Sequence, residues 1–439
     1  MSDERYQRYF ENFNPDLYDP AEWAATAKAA GMKYLVITTK HLDGFCLWDT
    51  KYTDFKVTNT PYGKDLIRPL VDAFRAEGIR IGFYYSLIDW NHPDFPYDWL
   101  HPNSPRSDEE RIEANKHRDL KKYQQYIKNQ LTELLTEFGQ IDELFLDYSY
   151  PGENGKRHKE WDSEGILKLV RKLQPQIIVD NRADMHHTTW GWDFMTPELY
   201  VPYEWPKFNG ERVPWEICQT LDAWSFGYHR DDEAWKSVRQ LVVMLAETVS
   251  KGGNLLLDVG PTGRGTFEGR AMDRLAGIGK WMKYHSRSIY GCTQAPEEFE
   301  VPKNCLLTYN PETRRLYIHV LEWPFKSLHL PGYEGKVAER CFRTDVLCAD
   351  ACRPRSAHSR DLPSGRPHHA RSREAAGRRT ACYRIDSRIV FYRGMQPDDP
   401  DRTHAPIFYR TVQNVSPKKI DSLPVHGRIG RMWFAHVPE

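Results

Sequence analysis

Apolar runs with no polar alternation recur along this chain between amphipathic stretches: Lys33 to Thr38, Ile79 to Tyr85, Ile141 to Asp147 and Ile177 to Asp180. A strand with one face in water alternates apolar and polar residues, so runs that are apolar throughout predict strands buried on both faces. Helical patterns separate them. Asp19-Pro20-x-Glu22 reads as an N-cap, a proline at the first helical position and a capping-box glutamate, opening a helix to about Ala30 that Gly31 ends. A second helix covers Leu66 to Glu77 and stops at Gly78. The spacing of Leu120, Tyr123, Ile127, Leu131, Leu134 and Phe138 predicts a long helix from about Glu113 to Phe138, and Ser163 to Leu173 predicts another. Alternating strands and helices of this kind imply a parallel α/β sheet, for which closure into a barrel is natural. From Leu306 the pattern turns to short strands, Leu306 to Tyr309, Leu316 to Glu322 and Ser327 to Leu330, so a small β domain is expected there.

Chemistry gathers where the strands end, the edge at which parallel α/β barrels meet their ligands. The first run leads into Lys40-His41-Leu42-Asp43-Gly44-Phe45-Cys46-Leu47-Trp48; the third ends in Asp147; the fourth is followed by Asn181-Arg182; then come Trp215-Glu216 and the segment GGNLLLDVGPTGRG from Gly252. Those glycines lack the lysine of a phosphate loop and the spacing of a dinucleotide fold, so they read as a last strand, Leu255 to Val259, and its turn. The 61 basic and 61 acidic residues balance, which argues against a nucleic-acid or membrane-surface partner. There is no apolar run of about eighteen residues to span a membrane. MSDERYQRYF lacks the regions of a signal peptide, so a cytoplasmic location is expected, with a periplasmic or secreted one if a segment precedes it. The eight cysteines show no disulfide or zinc spacing, and Cys348-x-x-x-Cys352 stands isolated. The 14 tryptophans suit a site where flat sugar faces stack, although tryptophan is also ordinary core.

In their order and spacing, the stretches from Glu11 to Asp65, GFYYSLIDW (Gly82 to Trp90), LFLDYSYP (Leu144 to Pro151), DFMTPELYVP (Asp193 to Pro202), WSFGYHRDD (Trp224 to Asp232) and the Gly252 segment resemble family 29 glycoside hydrolases, the α-L-fucosidases. The resemblance implies a (β/α)8-like TIM barrel over residues 1–295 and the start of a C-terminal β-sandwich over 296–336. It also implies a retaining exo-α-L-fucosidase that removes terminal α-linked fucose from an oligosaccharide or glycoconjugate by double displacement, with no metal or cofactor. Asp147 matches the family nucleophile, and Glu198 in Thr196-Pro-Glu198 matches the acid/base of several members, with Glu216 as its rival. His41, Tyr85 and Arg182 match positions that contact fucose hydroxyls, Trp48 lies close by, Trp215 beside Glu216 is a further substrate-binding candidate, and Phe226 matches an aromatic that packs on the fucose methyl.

Two departures from the family stand out. Family members begin with a strand ending in His-Trp-Gly, which this chain does not show, so the first barrel strand and its sugar ligands are expected to be absent. Without that strand two sheet edges would lie open, predicting aggregation and little activity. Residues 337–417 hold 15 arginines and no lysine, and four of the eight cysteines lie between Cys341 and Cys382, a break that resembles a shifted reading frame more than a basic nucleic-acid arm. Poor order is expected over residues 337–439. The alternatives to a fucosidase are a non-catalytic homologue that keeps the carboxylates but cannot hold fucose, and a different retaining glycosidase. Linkage preference and oligomeric state are not legible.

Overall fold

The structure is a computed structural model that describes residues 3–152, 154–223, 225–324, 327–334 and 336, with three strands beyond, Glu339–Arg343, Arg388–Arg393 and Met432–His436. The remainder of the arginine-rich region, including its expected poor order and the cysteine pair at 348 and 352, lies outside the described residues. The strands in chain order are Tyr34–Lys40 (β1), Arg80–Ser86 (β2), Glu143–Asp147 (β3), Ile178–Val179 (β4), Lys207–Phe208 (β5), Glu211–Arg212 (β6), Glu216–Thr220 (β7), Asn254–Asp258 (β8), Thr293–Gln294 (β9), Cys305–Asn310 (β10), Arg315–Val320 (β11), Glu339–Arg343 (β12), Arg388–Arg393 (β13) and Met432–His436 (β14). The chain divides into two compact units, Met1–Thr293 with Gln396–Glu439, and Gln294–Met395.

The first unit is α/β, built on a seven-stranded sheet in the order β4-β3-β2-β1-β14-β8-β7. The pairs β1–β2, β2–β3, β3–β4 and β7–β8 are parallel. The apolar runs are buried as expected, β1 and β3 along their whole length. Isolated bridges, Asp180 to Phe194, Met195 to Trp215 and Glu198 to Cys218, link the end of β4 to β7 through residues 194–198. One face of the sheet packs on itself: Tyr34 and Val36 of β1, Tyr84 of β2, Phe145 of β3, Cys218 of β7 and Leu256 of β8 form a single cluster with Phe226. The opposite face is covered by helices. Helix Leu120–Glu137 buries Tyr123, Ile127, Leu131 and Leu134 at the spacing read from sequence. The expected long helix is in fact two, Asp108–Asn115 and Leu120–Glu137, because Asp119 adopts extended backbone and caps the second by accepting from the amides of Lys121 and Lys122. The first predicted cap holds: Asp19 accepts from Ala21 and Glu22 at the start of helix Pro20–Ala29.

The edges of β1 and β8, expected to lie open, are both paired. Strand β14 runs antiparallel between them, with Tyr34 opposite Ala435 and Leu257 opposite Phe434. The aggregation expected from two bare edges therefore has no structural basis in these strands.

The second unit carries a five-stranded sheet in the order β12-β13-β11-β10-β9. Strands β10 and β11 form an antiparallel hairpin from Cys305↔Val320 to Asn310↔Arg315, and β13 lies parallel to β11. The third strand expected from sequence, Ser327 to Leu330, is not a strand, although Leu328 and Leu330 pack on the core of Phe299, Leu307, Leu316, Ile318 and Tyr333. No helix among the described residues is long and apolar enough to cross a membrane.

Candidate active site

At the C-terminal ends of β3 and β4 three donors converge on one carboxylate. Asp147, the last residue of β3, accepts from the Tyr84 hydroxyl at 2.6 Å on Oδ2, and from the Tyr148 amide at 2.8 Å and Arg182 Nη1 at 3.0 Å on Oδ1. Tyr148 presents that amide by taking a left-handed backbone, φ 75°, which a bulky residue adopts only when its surroundings impose it. Arg182 follows β4. Its Nε donates to Thr196 Oγ1 at 2.7 Å, its Nη2 to the Thr196 carbonyl at 2.9 Å, and its Nη1 also reaches Glu198 Oε2 at 2.8 Å. Burial opposes the charge on Arg182, but Asp147 above all, with Cys218 and Glu198 after it, outweighs that, so the guanidinium is held charged with a pKa above its usual value. One nitrogen donating to both carboxylates keeps those two oxygens within about 6 Å, closer to the roughly 5–5.5 Å of retaining glycosidases than to the wider spacing of inverting ones. These residues line a cavity of about 520 Å³ together with Tyr148, Ser149, Asp184, His186 and Phe226.

Of the residues singled out from sequence, Asp147, Glu198, Arg182 and Phe226 line this cavity. His41 stands beside it, stacked on Tyr84 with ring centroids 5.6 Å apart and 5.4 Å from Tyr148. A register shift between Thr38 and Lys40 sets its direction, since a bulge turns the following side chains to the other face. Four residues are elsewhere. Tyr85 points to the helix layer, where its hydroxyl donates to Gln130 Oε1 at 2.8 Å and accepts from buried Lys40 at 3.0 Å. Its neighbour Tyr84 faces inward instead, because Ser86 pairs with Asp147 and inward positions recur every second residue. Trp48 is core on the helix side, its indole N–H reaching Glu133 at 3.2 Å. Trp215 donates to the Lys251 carbonyl at 3.0 Å, and its ring fills the space where a Cβ on Gly253 would lie, 2.4 Å away. The Trp205 ring stands 2.2 Å from where a Cβ on Gly252 would lie, so close ring packing accounts for the Gly252-Gly253 pair better than a phosphate would. Tyr84, Tyr148, Ser149, Asp184 and His186 are site residues that sequence reasoning missed; Tyr84 sits on a different strand from Asp147, and only the register between the two strands turns it inward.

Glu216 is the fourth, and it sits at the wrong end. It opens β7, whereas Asp147 closes β3, and it lines a separate cavity of about 300 Å³ with Tyr34 and Glu143, the first residues of β1 and β3. Glu216 accepts from the Tyr34 hydroxyl and shares a hydrogen bond with Glu143, both carboxyls being almost fully buried. Burial pushes Glu216 up to about 8, against the lowering effect of its bonds to Tyr34 and Glu143. Burial also raises Glu143, helped by the charge of Glu216. The folded chain thus keeps protons that the unfolded chain releases above its ordinary carboxyl value of 4.5. The stabilisation is complete below that value and fades as pH climbs toward about 8. Glu216→Gln, whose amide donates permanently to Glu143, is expected to flatten this decline, so that its melting temperature relative to wild type rises by several degrees between pH 5 and pH 9. Parallel melting curves across that range would show that no proton is shared there.

The family pattern described as Alpha-L-fucosidase matches residues 2–287. Human plasma α-L-fucosidase is 29% identical over 331 residues, 73% of this chain and 65% of that protein. An α-L-fucosidase of Dictyostelium discoideum is 28% identical over 327 residues, 73% of this chain and 66% of its own length. The chain therefore spans just under two thirds of these relatives. Among solved structures, α-L-fucosidase isoenzyme 1 from Paenibacillus thiaminolyticus shares 42% identity at a TM-score of 0.71, covering 77% of this chain and 79% of that one. A trapped covalent intermediate of a family 29 α-L-fucosidase from Bacteroides thetaiotaomicron shares 28% identity at a TM-score of 0.61, covering 70% of each chain. With the family pattern running through the segments that carry Asp147, Arg182 and Glu198, this chain belongs to the α-L-fucosidase family.

Proposed function

We propose that this chain is a retaining exo-α-L-fucosidase acting on terminal α-linked fucose of an oligosaccharide or glycoconjugate. The observation that carries the reading is the single Arg182 nitrogen shared by Asp147 and Glu198 in one cavity. Asp147 attacks the anomeric carbon, and Glu198, whose side chain lines the same cavity and is 37% exposed, protonates the departing oxygen. Water then enters, Glu198 takes its proton, and the fucosyl–Asp147 ester opens to release fucose with its α configuration. The trapped covalent intermediate of the Bacteroides thetaiotaomicron relative is in keeping with this route. Phe226 offers the fucose methyl an apolar surface, while Arg182 and the His41–Tyr148 pair supply hydroxyl contacts. Tyr84 takes the inward position expected of Tyr85, and Glu198 rather than Glu216 is the acid/base. The sheet forms a (β/α)-type barrel in which residues 194–198 close the gap between β4 and β7 and β14 occupies the place beside β1; the bridges across that gap and the self-packed inner face support this.

The test is hydrolysis of an aryl α-L-fucoside by the purified chain, followed by proton NMR before mutarotation. The α anomer of fucose is expected first. Release of the β anomer first would mean single displacement, and no release would remove the fucosidase reading.

A further inference from the structure

The cavity holds more wall than a single fucose needs. At about 520 Å³ it lies within the roughly 300–1,000 Å³ that accommodates drug-sized ligands, larger than one deoxyhexose ring. Asp147, Tyr148, Arg182, Glu198 and Phe226 account for the reacting sugar. Ser149, Asp184 and His186 remain, all polar, drawn from the loops that follow β3 and β4.

These three are held in place. Asp184 has a left-handed backbone, φ 58°, and ties the two loops together by accepting from Arg157 Nε at 2.9 Å, Arg157 Nη2 at 3.1 Å and His158 Nδ1 at 3.2 Å. Burial alone would raise its carboxyl, but the bonds from Arg157 and His158 outweigh it and bring it to about 2, so Asp184 is an anion at any working pH. The Asn181 amide lies 2.6 Å from His186 Nε2, which assigns that nitrogen as acceptor and leaves the proton on Nδ1. His186 Nδ1 is 3.8 Å from Asp184 Oδ1, too far for a hydrogen bond. A donor and an acceptor thus stand side by side, the arrangement a sugar hydroxyl satisfies by accepting from one and donating to the other. Ser149 Oγ accepts from Trp161 at 3.1 Å, which leaves its own proton to donate.

We infer that Ser149, Asp184 and His186 form a subsite for the leaving group, and that its occupant is a second pyranose whose hydroxyl bridges His186 Nδ1 and Asp184 Oδ1. This rests on the fucosidase reading. Three polar side chains stand together there, so a hydroxylated aglycone gains hydrogen bonds that an aryl one does not.

The experiment compares kcat/KM for a neutral α-fucosylated disaccharide with that for α-L-fucosyl fluoride, which has no sugar to seat and needs no protonation. Expected is a fall of about tenfold in the disaccharide-to-fluoride ratio for His186→Ala, the worth of one lost hydrogen bond, with the change mostly in KM, and a smaller fall for Ser149→Ala. His186→Gln, which keeps a donor at that place, recovers part of the ratio. A ratio within about twofold of wild type in both alanine variants, or equal losses on both substrates, overturns the proposal. Wild type inert on both substrates would instead remove the fucosidase reading, a result visible before any substitution is made.

Discussion

Asp147→Ala is expected to lower turnover of an aryl α-L-fucoside by about 10³-fold or more, with the fold intact. Asp147 is the last residue of β3, and its backbone pairing opposite Ser86 does not depend on the side chain. What the substitution removes is the acceptor for the Tyr84 hydroxyl, the Tyr148 amide and Arg182. Arg182 keeps Glu198 and Thr196 as partners, so no unpaired charge is stranded, and the loss of stability should stay near 1–3 kcal/mol, the cost of orphaned donors. Azide separates a lost nucleophile from general damage. A small anion fits the space the carboxylate vacated and attacks an activated fucoside from that face, giving β-fucosyl azide. Near-normal turnover in Asp147→Ala, or rescue that yields only the α azide, would sink the assignment.

Which residues are legible from sequence depends on how each strand announces itself. Asp147 and Arg182 follow runs apolar enough to mark both the strand and its end. Tyr84 and Tyr85 both lie in a strand buried on its two faces, so hydropathy says nothing about which tyrosine points inward. That is settled by register, through the pairing of Ser86 with Asp147. His41 similarly owes its direction to the shift between Thr38 and Lys40, a backbone irregularity with no signature in residue type. Glu216 misleads for a different reason. The strand it belongs to, Glu216–Thr220, carries Gln219 and Thr220 and is no apolar run, so its start and end cannot be told apart beforehand. The order of strands was open too: nothing in Met432–His436 announces pairing with residues some four hundred positions earlier.

Glu198 and Glu216 can be separated by leaving group and by stereochemistry together. A general acid matters in proportion to how badly the departing oxygen needs a proton, so Glu198→Ala should slow cleavage of a fucosylated disaccharide by about 10²–10⁴-fold. With a dinitrophenyl leaving group the same variant should form the fucosyl-enzyme nearly as fast as wild type, because that phenolate departs unaided. The intermediate then accumulates, since no base remains to activate water, and azide, which needs none, discharges it. Azide meets a fucose already inverted once on Asp147, so the product is the α azide, opposite to that of Asp147→Ala. Glu216→Ala should show neither trait. Its carboxyl is buried with Tyr34 and Glu143 at the other end of the strands, so its loss should lower stability and affect good and poor leaving groups alike. If Glu216→Ala instead spares the dinitrophenyl fucoside and gives the α azide while Glu198→Ala does not, the acid/base lies where this fold does not put it, and the pocket around Arg182 is not the place of reaction.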